Sequence, residues 1–155
     1  NSEEGRKVRA SITMNLFKKY DLKEMLTFEF WVHIWTEYCR YDDGYSNPET
    51  FQYNIDVGNG HSTPIPCLII LTSFFTQIFS PQVTGIIGAL LFYQKWYGTL
   101  IYLFTFHNCN KGKHLTSMEY YAAVLGTNGV WFTVPLWGLW VSIQMILTNS
   151  FDVIH

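Results

Sequence analysis

Asp56 and Lys95 stand where ordinary patterning would not put them. Asp56 lies where the charged part of the chain hands over to the uncharged part, and Lys95 sits in a long apolar run between Gln94 and Trp96. An ionisable group inside or at the edge of an apolar helix is costly to desolvate, so it usually faces the protein interior and has a task. Asp56 is open to two readings, a working carboxylate or a residue resting at a lipid interface. For Lys95, a buried partner or snorkelling to one side would both relieve the charge. Mutual neutralisation is the least costly remedy, so the two are expected to approach one another. Asn128 and Trp131 are three residues apart and share a helical face, which sets an amide dipole beside an aromatic plane. Such a pair can orient a ligand and stabilise a cation through the ring quadrupole. Interhelical hydrogen bonding by the Asn and packing by the Trp is the plainer alternative. Glu29, His33 and Glu37, spaced by four, would line one helix face with carboxylate and imidazole, the donor types of a metal site. No second cluster of ligands accompanies them, so they read as the solvated face of an interfacial helix, and no metal is expected.

The elements that must position these residues follow from the distribution of charge. Seventeen of the twenty-two charged residues fall in the first 56 positions, leaving the stretches 57–94 and 120–151 without any. A helix in water keeps one wet face, and these stretches have none. They are long enough for helices that cross a hydrocarbon layer, which takes about 20 apolar residues per crossing. The expected fold is therefore all-α, a helical membrane bundle with about three transmembrane helices. Ser80-Pro81 breaks the first uncharged run, because proline cannot donate within a helix and disfavours helix in the residue before it. The first span ends near Phe79 and can begin as early as Phe51 with a kink at Pro64 and Pro66. The second covers 83–106, a loop follows at His107 to Lys113, and the third covers 118–147 with a kink at Pro135. Gly85, Gly88 and Ala89, with Gly126 and Gly129 on the third span, offer small-residue faces for close packing. Residues 1–50 form a polar N-terminal segment. Within it 11–40 reads as one interfacial amphipathic helix, flanked by Arg6, Lys7 and Arg9 and carrying Lys18 and Lys19. Residues 41–48 have turn chemistry.

Composition narrows the classes further. A net charge of −2 is no footprint for nucleic acid, and the 18% aromatic content suits headgroup-level rings or an apolar cavity. Cys39, Cys67 and Cys109 are widely spaced, form no zinc pattern and imply no disulfide framework. No cofactor is expected. The opening NSEEGRKVRA carries no signal-peptide pattern. Three spans make a thin bundle, so partner subunits or further helices are expected to complete it.

Several motifs, in order, resemble one family. Tyr97-Gly-Thr-Leu-Ile-Tyr102-Leu-Phe-Thr-Phe-His107 resembles the Tyr-Gly-Asp-x-x-Tyr-x-x-Thr-Glu-His segment of the emopamil-binding protein family, the EXPERA domain of sterol Δ8,Δ7-isomerases. Asn128-Gly-Val-Trp131-Phe-Thr-Val-Pro135 is similar to its Asn-x-x-Trp-x-x-x-Pro, and Trp35-Thr-Glu37-Tyr38 with Asp42 and Tyr45 resembles its Trp-x-Glu-Tyr…Asp-x-x-Tyr loop. That register, covering 35–146, sets Asp56 at the family's catalytic glutamate. The resemblance implies a five-helix membrane bundle around a sterol-sized cavity, in the endoplasmic reticulum membrane. The implied reaction shifts a ring double bond: one carbon is protonated, a carbocation forms, and a neighbouring carbon loses a proton. Asp56 would be the acid or base carboxylate, Trp131 the cation-stabilising face and Asn128 the orienting amide. Tyr97, Tyr102 and His107 would contact a sterol or other apolar small molecule.

The departures from the family pattern imply a second role. Its His-x-x-x-Glu pair would fall near 10–14, where neither residue occurs, although His33 and Glu37 have the same spacing. Asp56 is one methylene shorter than Glu, Thr99 replaces an Asp and Phe106 a Glu. A catalytically inactive accessory subunit of a larger complex, in an organellar membrane and holding lipid, sterol or pigment, is the alternative to the isomerase.

Overall fold

The computed structural model describes residues 19–153, without the side chains of Glu37 and Arg40. The basic residues Arg6, Lys7, Arg9 and Lys18, and positions 10–14 of the family register, lie outside the described residues. All regular structure among the described residues is helical, as the charge and proline pattern predicts.

The chain divides into two units, one ending at Tyr41 and the other beginning at Asp42. The turn-rich residues after Tyr41 therefore belong with the helical bundle. In the first unit, the helix expected as one piece over 11–40 is two within the described residues, α1 (Leu22–Met25) and α2 (Phe28–Tyr41). Asp21 and Glu24 form a reciprocal capping box around the start of α1. Thr27 interrupts the helix, and its hydroxyl accepts from the Phe30 amide (3.3 Å), starting α2 anew. Glu29 and His33 are exposed on α2, and among the described residues no group of three or more His, Cys, Asp or Glu could hold a metal ion.

Among its described residues the second unit holds four helices: α3 (Phe51–Ser62), α4 (Pro64–Thr76), α5 (Pro81–Asn108) and α6 (Ser117–Thr148), with short 3-10 turns at Asp43–Ser46 and Lys111–His114. Each boundary has a local cause. Thr50 caps α3 by accepting from the Tyr53 amide, and Ser80 caps α5 by accepting from Val83, with Pro81 following at the first helical position. Gln77 and Asn149 end α4 and α6 in the left-handed conformation. Thr116 and Glu119 form a capping box at the start of α6.

The breaks expected near Ser80-Pro81 and at His107 to Lys113 are present. The first span is divided rather than kinked. Pro64 lacks the N–H that would continue the ladder, so Thr63 closes α3 and opens α4. Among the described residues one helix, α6, is long and apolar enough to cross a membrane; α4 is apolar but only 13 residues long. At 28 residues α5 has the length, yet Gln94 and Lys95 interrupt its apolar character. Pro135 lies inside α6 without ending it. Unforeseen from sequence is the seven-residue π-helical stretch Tyr120–Gly126 near the start of α6.

The main packing is α5 on α6. A Cβ added to Gly85 would lie 2.7 Å from the Ser142 carbonyl oxygen, and one on Gly88 would collide with the Ser142 hydroxyl. These glycines therefore let the two backbones approach. The inward side chains include the small polar Ser73, Thr84 and Ser142 beside Leu91, Val141 and Met145, whereas Leu68, Phe75, Leu90, Phe104, Trp137 and Leu147 face outward. An aromatic cluster of Tyr102 and Phe106 with Val124 closes one end of the pair, flanked by Tyr45, Leu115 and Tyr120.

Candidate functional site

Asp56 projects from α3 about two turns before its end, and Lys95 lies midway along α5; both are half-buried. Their charges act on one another across the gap between the helices. No ion pair forms. The Lys95 ammonium instead donates to the hydroxyl of Thr63, the residue at which α3 gives way to α4. Among the described residues the Asp56 carboxylate has no hydrogen-bond partner. Gln94 donates to the Asn59 side-chain oxygen at 3.4 Å, so Asn59, Thr63, Gln94 and Lys95 make a polar strip between α3 and α5. Chemically this is a carboxylate able to take or give a proton beside a cation already held by a hydroxyl.

Asn128 and Trp131 both lie on α6 but in different surroundings. Asn128 is 7% exposed, and its amide donates to the Val124 carbonyl at 2.7 Å. The neighbouring Thr127 hydroxyl donates to the Ala123 carbonyl at 2.5 Å. Both bonds fall where the π-helical register returns to α, a place where backbone carbonyls change partners. Thr127 and Asn128 thus serve the backbone of their own helix. The Trp131 side chain is 59% exposed, while its carbonyl accepts from the Thr99 hydroxyl at 3.2 Å. The structure therefore does not set the Asn128 amide and the Trp131 ring side by side in one buried space.

The three expected ligand contacts also part company. Tyr97 is half exposed and stacks on Tyr93, with centroids 5.9 Å apart and planes 13° from parallel. Tyr102 is buried between Tyr45 (5.7 Å) and Phe106 (5.8 Å). His107 lines an open cavity of about 350 Å³ between the C-terminal end of α5 and the start of α6. Asn110, Lys113, Ser117, Tyr120 and Tyr121 share its lining, over Phe106 and Leu115. Asp56, Asn128 and Trp131 do not line it.

Sequence reasoning missed the most deeply built polar cluster. Asp42, with a side chain 1% exposed, accepts through one oxygen from the Gly44 amide (2.9 Å) and from Lys111 (3.0 Å). Gln52 is buried beside them, 2% exposed. A Cβ on Gly44 would lie 2.6 Å from the Lys111 nitrogen and 3.0 Å from the Gln52 side-chain oxygen, so glycine lets the three groups meet without displacing their side-chain ends. The cluster ties the loop before α3 to the loop after α5. Asp42 and Lys111 are 69 residues apart, and opposite charge in two loops was the only available signal.

No family model matches the chain, and neither a curated protein nor a solved structure matches it.

Proposed function

We propose that this chain is an integral membrane protein on a divergent emopamil-binding protein-like plan, working as a catalytically inactive accessory subunit of a larger membrane assembly. Its spans would be 51–79, 83–106 and 118–147, the first being α3 and α4 together. One observation carries the reading: large apolar side chains cover the outside of the bundle while small polar ones pack between its helices. Ser73, Thr84 and Ser142 are buried, while Leu68, Phe75, Phe104 and Leu147 are more than 60% exposed. Apolar surface of that extent is stable against lipid or other apolar helices, and small inward residues are how membrane helices approach. The dispersal of Asn128 and Trp131 argues against the carbocation chemistry. The partners are the bilayer, neighbouring membrane subunits that complete the thin bundle, and a sterol or other apolar small molecule on the aromatic surface. The membrane would be that of the endoplasmic reticulum by the resemblance, or an organellar one with the host assembly.

Alkaline carbonate extraction followed by native electrophoresis in mild detergent tests this. The chain should stay with the membrane fraction and then migrate with an assembly far above its own 18.1 kDa. Release at alkaline pH, or migration alone, refutes it.

The unpartnered carboxylate of Asp56 favours the isomerase as a second reading. A carboxylic acid there would protonate the ring double bond, and its carboxylate or another base would remove a proton from the adjacent carbon. Under this reading the wild type converts a Δ8 sterol to its Δ7 isomer, and Asp56→Asn abolishes the conversion. Wild-type protein that leaves the Δ8 sterol unchanged eliminates it.

A further inference from the structure

The cavity at the α5–α6 turn has a composition that the proposed function does not use. Its polar lining comes from His107, Asn110, Lys113, Thr116 and Ser117, with the hydroxyl-bearing rings of Tyr120 and Tyr121, and no carboxylate contributes to it. The nearby carboxylates are already engaged, Asp42 by Lys111 and Gly44, and Glu119 by the amide and hydroxyl of Thr116, itself a lining residue. The Lys113 ammonium and the His107 imidazole have no hydrogen-bond or ion-pair partner among the described residues. One wall is therefore a cation with a ring donor, an amide and a hydroxyl. The base is apolar, formed by the buried Phe106 with Leu115 and the ring of Tyr120.

The loop that carries these groups is held in place before any ligand arrives. Lys111 anchors it to Asp42, Asn110 takes a left-handed turn, and the Lys113 and Leu115 amides donate to the Asn110 and Gly112 carbonyls. Gly112 rests against the aromatic base so closely that a Cβ would lie 3.0 Å from the Phe106 ring and 3.3 Å from Tyr120. A fixed loop loses little freedom on binding. Tyr121, itself part of the lining, is more than 60% exposed, as are Phe104 on the last turns of α5 and Met118 next in sequence to the lining residue Ser117, so exposed apolar side chains lie on both helices that form the cavity.

A cationic, hydrogen-bonding wall above an aromatic base, continuous with an apolar flank at a helix-pair end, matches an amphiphile with an anionic head. We propose that this cavity binds the phosphate head of an anionic phospholipid. Lys113, His107, Asn110 and Ser117 contact the phosphate oxygens, the glycerol lies over Phe106 and Tyr120, and an acyl chain follows the flank past Phe104. The inference rests on the membrane reading given above, because a membrane is what presents such a ligand. A free phosphate or a soluble phosphate ester shares the head chemistry but makes no use of the apolar flank.

Native mass spectrometry of the full chain in detergent, titrated with dioleoyl phosphatidic acid or dioleoyl phosphatidylcholine, tests it. Charge-assisted hydrogen bonds predict about tenfold or greater preference for phosphatidic acid. His107→Ala combined with Lys113→Ala should reduce the preference to within about twofold, while Lys113→Arg and the surface control Lys23→Ala should keep it. Circular dichroism of each variant verifies folding. Equal binding of the two lipids by the wild type, an unchanged preference in the double variant, or the same loss in Lys23→Ala or Lys113→Arg overturns the site. Full displacement of the lipid by an equal concentration of inorganic phosphate or glycerol 3-phosphate overturns the lipid assignment in favour of a soluble anion. Carbonate extraction reads the membrane question separately: an embedded chain without lipid preference sinks only this inference, and a released chain sinks both.

Discussion

Replacing Lys111 by Met should destabilise the bundle far more than a surface lysine ordinarily does. The Asp42 side chain is 1% exposed, and its two protein contacts are the Lys111 ammonium at 3.0 Å and the Gly44 amide at 2.9 Å. Its second oxygen is buried without a partner among the described residues. Removing the ammonium leaves a desolvated carboxylate with one donor, which in a fully buried pair costs about 3–5 kcal/mol. The Lys111 side chain is 20% exposed, so water can partly take its place, and the expected loss falls to about 2–3 kcal/mol. That is roughly a 30- to 150-fold change in the folded-to-unfolded ratio. Asp42→Asn added to Lys111→Met removes the stranded charge and should recover about 1 kcal/mol or more. Unfolding in mixed micelles, driven by a denaturing detergent and read by tryptophan fluorescence, measures all three proteins. Wild-type stability for Lys111→Met, or a double variant no more stable than Lys111→Met, would refute the argument that this pair clasps the two loops.

Other substitutions probe the helix contacts by the same unfolding measurement. Gly85→Leu meets the Ser142 carbonyl and should cost about 2 kcal/mol or more, whereas Gly129→Leu, with nothing within 4 Å of its Cβ, should stay within about 0.5 kcal/mol. Similar losses at the two glycines would count against the close approach of α5 and α6. Asn128→Leu strips a donor from the Val124 carbonyl and should cost about 1–2 kcal/mol, more than Trp131→Ala at a 59% exposed position. The opposite order would mean that the indole, not the amide, holds α6. Thr63→Val and Lys95→Met should be strongly non-additive because one hydrogen bond joins them, and simple addition of their effects would show that the bond contributes nothing.

Local chemistry made the helix ends legible. Ser80-Pro81 and the polar run after His107 stop and restart the chain where their residue types say they must. The interior of α6 was not legible, because Tyr120–Gly126 is uniformly apolar and no residue in it announces a π register. The side chains that serve the transition, Thr127 and Asn128, are visible in sequence but read equally well as ligand contacts. Spacing by three brought Asn128 and Trp131 to one side of the helix. It could not say that burial ends between them, because a single helix contact covers only a narrow arc and a residue about 60° around it already faces out. Asp56 and Lys95 were correctly brought to neighbouring helices, yet a hydroxyl at the α3–α4 break took the ammonium. Contacts between distant loops, such as Asp42 with Lys111, leave no periodic trace.

On the proposed membrane reading, the break at Thr63 bears on which membranes the chain can inhabit. Pro64–Thr76 has 13 residues and is about 20 Å long, some 10 Å short of a typical hydrocarbon core, whereas the adjacent 28-residue helix extends about 42 Å. Two neighbours of such unequal length present the lipid with opposite mismatches. Either lipids beside α4 shorten, or α3, which meets α4 through the helical backbone of Thr63, completes the crossing and brings Asn54, Asp56 and Asn59 below the headgroups. The first strain is smallest in a thin bilayer, and thickness of only a few Å sorts proteins between the endoplasmic reticulum and the plasma membrane. On that reading the proline at position 64, by shortening the uninterrupted apolar helix, would act as an address written in bilayer thickness, favouring thin membranes over sterol-thickened ones.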